Sequence, residues 1–156
     1  MVRPIKNTEF SLLDEFLYQA IFLPPGTPEI SRDVIYKPEI FIYINGFGSK
    51  NGDFGVVAEA DGKIAGAAWT RIISAYGHID DVTPELAISV LPQMRGRGIG
   101  TEMLSGLLAL LRENGCGQTS LSVQKANPAV RLYLRAGYKI VKEQDEDFLM
   151  IKDLTR

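Results

Sequence analysis

Gly96, Gly98 and Gly100 stand at alternate positions in the segment QMRGRGIG, interleaved with Arg95 and Arg97. Glycine lets a backbone bend tightly and approach a ligand with no Cβ in the way. Met103, Leu104, Leu107, Leu108, Leu110 and Leu111 then recur at helical spacing, so the glycines open onto a helix N-terminus. That terminus carries unpaired N–H donors and the positive end of a dipole. The two arginines add formal charge beside it. Binding of a phosphate-bearing anion is the chemistry this spacing suits. A dinucleotide fingerprint does not match, because the register from Gly96 puts Thr101 where its third glycine belongs. A Gly-Lys-Ser/Thr phosphate loop is also absent. Taken alone, the segment also admits a ligand-free glycine turn between strand and helix.

The elements around the loop are legible from periodicity and punctuation. Ahead of it, the apolar run Leu86 to Leu91 is of strand length and ends at Pro92, which has no ladder donor to give. Upstream, Val2 to Ile5 predicts a short strand. Asn7 or Thr8 is expected to cap a helix from Glu9, with Phe10, Leu13, Phe16, Leu17, Ala20 and Ile21 on its apolar face. A second short helix is expected across 34–44, interrupted by Pro38. Phe54–Ala60 and Lys63–Ile73 read as a hairpin turning at Asp61-Gly62. The polar stretch SAYGHIDDVTP then leads into the central strand. Downstream, Asn114-Gly115 stops the long helix, and Thr119–Val123 alternates as a strand. Asn127-Pro128 starts a further helix that Ala136-Gly137 closes. Tyr138–Val141 and Phe148–Ile151 complete the strands.

Composition narrows the function classes. A chain of 156 residues suits one domain, spanning 1–156, with ample apolar content for a core. With 17 basic and 19 acidic residues it does not rely on bulk charge to bind nucleic acid. Cys116 is the only cysteine and His78 the only histidine, which excludes multi-cysteine and histidine-rich metal centres and makes a Ser–His triad a poor expectation. No stretch approaches the ~20 apolar residues of a membrane span, so a cytoplasmic setting is expected.

Two segments carry a resemblance. Gln93-x-x-Gly96-x-Gly98 looks like the acyl-CoA pyrophosphate loop of the GNAT superfamily of N-acyltransferases. The segment Asn127-Pro-Ala-Val-Arg-Leu-Tyr133-Leu-Arg-Ala-Gly137-Tyr138 is similar to that family's N-x-x-A-x-x-L-Y-x-x-x-G-F, with Asn127 one residue nearer Tyr133. The resemblance implies an α/β fold with a mixed, mostly antiparallel central sheet flanked by helices. Its fourth and fifth strands would be parallel and splayed to admit pantetheine. It implies an N-acetyltransferase moving the acetyl group of acetyl-CoA, its cosubstrate, directly to a primary amine in a ternary complex. No metal, nucleic acid or membrane is implied, and a homodimer is allowed. Backbone groups near Ser89 and Val90 would hold the pantetheine and thioester. Arg95, Gly96, Arg97, Gly98, Ile99, Gly100 and Thr101 would cradle the pyrophosphate, with Asn127 contributing to the cofactor site. Tyr133 resembles the family tyrosine that protonates the leaving thiolate, and Glu85 matches the position of a general base. A non-catalytic acyl-CoA-binding module is the alternative. Tyr18, Phe22, Tyr36, Tyr43 and Trp69 are candidates for an acceptor pocket, His78, Asp80 and Asp81 for a proton relay, and Lys125, Arg131 and Arg135 for adenosine phosphates.

Overall fold

In the computed structural model, which describes residues 1–155, a seven-stranded sheet carries helices on both faces. Its hairpin joins β2 (Phe54–Ala60) to β3 (Lys63–Arg71), and β1 (Val2–Pro4) is added at the edge of β2. Asp61 and Gly62 have φ of 55° and 76°, the two left-handed residues that a two-residue turn of this twist requires. β4 (Glu85–Val90) runs antiparallel to β3, and β5 (Gln118–Gln124) lies parallel to β4. β7 (Asp147–Asp153) inserts between β5 and β6 (Lys139–Glu143), giving the order β1-β2-β3-β4-β5-β7-β6.

Strand alternation divides the core in two. Val56, Ala58 and Ala68 face α3 (Ile99–Glu113) and α4 (Ala129–Arg135). Val57, Ala67 and Trp69 face the opposite layer, which contains α1 (Leu13–Ala20) and the short α2 (Pro38–Phe41). Leu104, Leu107, Leu108 and Leu111 form the buried stripe of α3, each worth about 1.5–3 kcal/mol when fully removed from water. Asn114 ends that helix, and Gly115 follows in the left-handed region at φ 78°.

Two N-terminal expectations are corrected. The first helix enters through a 3-10 turn over Asn7–Leu12, and neither Asn7 nor Thr8 caps it. Instead the Glu9 carboxylate accepts the Lys6 N–H at 2.9 Å and binds Arg3 of β1 at 2.7 Å. The second helical stretch is two pieces, a 3-10 turn over Arg32–Tyr36 and then α2. Lys37 is extended at ψ 132°, as the residue before a proline tends to be, so Pro38 starts a new turn rather than interrupting an old one.

The segment after α2 is tied to β3 by side chains. Trp69 Nε1 donates to the Tyr43 carbonyl at 3.0 Å. Arg71 Nη1 donates to the carbonyls of Ile42 and Asn45 at 3.1 and 2.6 Å. Its Nε binds Asp53 at 2.9 Å, with both side chains out of solvent at 2% and 0% exposure. Removing one partner of a buried pair strands the other's charge. We therefore expect Asp53→Ala to cost about 3–5 kcal/mol by denaturant unfolding. Asp53→Asn should cost less, because its amide oxygen still accepts from the guanidinium.

Candidate active site

The site is built on the one parallel strand pair. β4 and β5 are in register only at Glu85 opposite Ser120, where Ser120 N–H donates to Pro84 O at 3.0 Å. Thr119 Oγ1 donates to the same carbonyl at 2.8 Å, and Ser120 Oγ donates to Gly77 O at 2.6 Å. Beyond that point the strands part, opening a groove of about 1190 Å³ lined by Ile88 and Val90 of β4 and by Ser122, Gln124 and Tyr133 across from them.

Strand phase decides which backbone groups face the groove. Leu91 N–H donates to Ala65 O at 2.8 Å, so alternate β4 residues, Ser89 and Ala87 among them, spend their backbone groups on β3. Ile88 and Val90 are left facing the gap. Ser89 lines the groove, but its backbone belongs to the β3 ladder and its hydroxyl donates to Phe16 O at 2.6 Å, pinning α1. Ile88 and Val90 are the β4 residues whose backbone groups turn toward the groove, with Val90 O accepting from Arg95 Nε at 3.0 Å. Simple alternation along the strand could have indicated the choice once the phase was known.

At the open end lies the glycine turn. Gly96 and Gly98 have φ of 80° and 78°, and a Cβ built on either meets no protein atom within 4 Å. Both glycines are thus required by conformation and face open space, as a cradle for an anion would. Gly98 is the N-cap of α3 and offers no side-chain acceptor, so the donors of the first turn stay free. Arg95 lines the groove and donates from Nε to Val90 O at 3.0 Å. Arg97 instead reaches Asp61 on the hairpin turn at 3.0 Å. Such an exposed pair is worth at most about 1 kcal/mol and competes weakly with a phosphate. Gly100 lines the groove, Ile99 packs on the α3 core, and Thr101 lines a separate shallow cleft between α3 and α4. Asn127 lines the groove too, but its Oδ1 accepts the Ala129 N–H at 2.9 Å and so helps to start α4.

Tyr133, from α4, is 7% exposed and lines the groove. Burial raises its phenol above the ordinary tyrosine value, so it holds its proton through the neutral range. Glu85 is only 2% exposed and is absent from the groove wall. Its Oε1 accepts from Ala75 N–H at 3.1 Å, and its Oε2 accepts from Gly77 N–H at 2.9 Å and Tyr43 O–H at 3.1 Å. Burial holds this carboxyl above the usual carboxylate range, while those three donors pull it down.

The family follows from this architecture and from comparison with known proteins. A model of the acetyltransferase (GNAT) family matches residues 17–138. The chain belongs to the GNAT acetyltransferase family. An uncharacterized N-acetyltransferase of Methanocaldococcus jannaschii is 31% identical over 138 residues, covering 80% of this chain and 81% of that protein. A mycothiol acetyltransferase of Thermobispora bispora is 36% identical over 84 residues, 53% of this chain, but the match spans only 28% of the relative's length. The same fold occurs in the PaiA N-acetyltransferase of Thermoplasma acidophilum, solved with coenzyme A, at a TM-score of 0.72, 18% identity and 98% coverage of both chains. The sheet order and single parallel pair of this GNAT chain agree with the fold class expected from its sequence.

Other candidates separate cleanly in space. Tyr18, Phe22 and Tyr43 line the groove, joined by Tyr76, which the sequence did not single out. Trp69 is core and Tyr36 lies elsewhere on the surface. His78, Asp80 and Asp81 stay off the groove wall: His78 Nδ1 lies 3.0 Å from Ile73 O, and Asp80 accepts the Val82 N–H at 2.9 Å. Lys125 pairs with Glu143 at 2.7 Å, while Arg131 and Arg135 are exposed on α4. No helix among the described residues is long and apolar enough to cross a membrane. At Gly98, an alanine takes a left-handed conformation at a cost of roughly 1 kcal/mol and points its methyl into the open cradle. Gly98→Ala should weaken acetyl-CoA binding at least tenfold by calorimetry, with the unfolding midpoint only slightly lowered.

Proposed function

We propose that this chain transfers the acetyl group of acetyl-CoA directly to a primary amine within a ternary complex. The observation that carries the proposal is the groove itself. Two parallel strands part at Glu85, turn the backbone groups of Ile88 and the Val90 N–H toward the gap, and lead from a glycine turn to the Tyr133 phenol, while Val90 O accepts from Arg95 Nε. The turn and the first donors of α3 suit a pyrophosphate, with Arg95 close by. An extended arm of amides suits unpaired strand groups, which can hydrogen-bond it as a further strand would. Family membership and the acetyltransferase names of its relatives support the same chemistry.

In this mechanism the neutral amine attacks the thioester carbonyl. A carbon–nitrogen bond forms, and the negative charge on the carbonyl oxygen is stabilised by backbone N–H groups at the parting of β4. As the carbon–sulfur bond breaks, Tyr133 gives its proton to the thiolate, coenzyme A leaves as the thiol, and the extra proton on the attacking nitrogen passes to the Tyr133 oxygen, restoring the phenol. Tyr133 suits this role because its buried phenol remains protonated beside the groove. Glu85 serves as the ultimate proton acceptor, favoured by a carboxyl held above the usual carboxylate range.

A panel of small amines, amino acids and peptides, followed by coenzyme A release, tests the proposal. At least one should release coenzyme A together with an acetylated product. Binding of acetyl-CoA with no amine-dependent release would make the chain a non-catalytic acyl-CoA-binding module. With an accepted amine, Tyr133→Phe should lower kcat roughly 10²-fold and leave acetyl-CoA affinity nearly unchanged, because a proton delivered at bond breaking acts on the transition state. Near-normal kcat, measured where chemistry limits the rate, would remove Tyr133 from the mechanism.

A further inference from the structure

Glu85 sits in the position of a base, yet it does not reach the groove. The carboxylate is 2% exposed, and Ala75 N–H, Gly77 N–H and Tyr43 O–H surround its two oxygens. Of the three donors, only the phenol carries a proton that can be exchanged for another without opening the backbone. Tyr43 also lines the groove, which Glu85 does not. We propose that Tyr43 is the group that takes the acceptor's proton and hands it to Glu85, a relay that rests on the acetyl-transfer proposal above.

The step is a double proton transfer. The bound ammonium gives a proton to the Tyr43 oxygen while the Tyr43 proton passes to Glu85 Oε2 across the 3.1 Å hydrogen bond. The products are a neutral amine, an intact phenol and a carboxylic acid, and no bond to carbon changes. Burial, reinforced by the neighbouring Glu85 charge, pushes the Tyr43 phenol well above its ordinary value. Free phenolate therefore does not accumulate, and the two proton movements are concerted.

Tyr43 is held for this task rather than resting there by chance. Its carbonyl accepts from Trp69 Nε1, and the flanking carbonyls of Ile42 and Asn45 accept from Arg71. Other titratable groups nearby do not come between the pair. Arg71 lies directly across the β3–β4 ladder from Glu85 but is committed to Asp53. His78 acts on Glu85 electrostatically, and Tyr76 acts on the Tyr43 phenol chiefly through its backbone N–H, which favours the charged form.

The pH dependence of kcat/KM for two accepted amines of different basicity tests the relay. Without it an amine must arrive already neutral, so the acid limb of Tyr43→Phe should move up to the amine's own pKa. At pH 7 that predicts a loss of about tenfold for an α-amine of pKa near 8, and about a thousandfold for an alkylamine near 10. Glu85→Gln should show the same shift. The double variant should be no slower than the slower single one, because both act in one step. Acetyl-CoA affinity should stay constant throughout. An unshifted acid limb in Tyr43→Phe overturns the relay, as does a shift confined to Glu85→Gln. Should Tyr43→Phe fail to fold, an unshifted limb in Glu85→Gln overturns it equally. If no amine stimulates coenzyme A release by the wild-type protein, acetyl transfer fails and the relay fails with it; an active wild type with an unshifted Tyr43→Phe removes the relay alone.

Discussion

The single register point between β4 and β5 is the constraint on which the site depends. Two parallel strands normally continue side by side, since each unpaired backbone group buried between them costs free energy. Here each strand is paired along its outer edge while the inner edges meet at one point. β3 takes one set of β4 backbone groups, β7 takes one set of β5 backbone groups, and Ser89 fastens β4 to α1 through Phe16 O. At the closed end, Pro84 O accepts from both Ser120 N–H and Thr119 Oγ1, and Ser120 Oγ reaches Gly77 O. A wedge clamped at one end and braced on both sides leaves its inner backbone groups to be satisfied by water or by a ligand.

Glu85 lies at the apex of that wedge, where a buried carboxylate is costly unless hydrogen-bonded. Two backbone donors from the connection between β3 and β4 and one phenol from the segment after α2 meet that need. The same arrangement ties three distant parts of the chain to the point where the groove begins. In the proposed mechanism electrostatic cost and catalytic use coincide: removal from water raises the proton affinity of Glu85, and Tyr43 connects it to the groove. The second anchored pair, Arg71 with Asp53, stiffens the segment bearing Tyr43 without competing for Glu85.

Local signals in the sequence were sufficient for most elements. Asp61-Gly62 names its own turn because only certain residues tolerate two successive left-handed conformations. The α3 stripe is readable because its leucines repeat at helical spacing and bury against one sheet face. The entry to α1 departs from the side-chain cap expected at Asn7 or Thr8, because Glu9, three residues past Lys6, accepts the Lys6 N–H while also binding Arg3 of β1. The break at Pro38 was visible, but its outcome depended on Lys37 turning extended ahead of a new helical turn.

For the proposed site, the sequence by itself determined the glycine turn ahead of α3 and the residue types that the proposal uses. Glycines that must adopt positive φ and a helix that must begin behind them are local requirements, written in adjacent residues. Tertiary structure decided the rest. Which β4 residues face the groove depends on hydrogen-bond phase set by β3, and a shift of one residue exchanges Ser89 for Ile88. Whether Arg97 serves the loop or the hairpin depends on where Asp61 is carried by the sheet. The partnership of Tyr43 with Glu85 joins residues 42 apart with no periodic or compositional link between them. Only the packing of one layer on another brings that phenol to that carboxylate, because burial and proximity are properties of the folded chain.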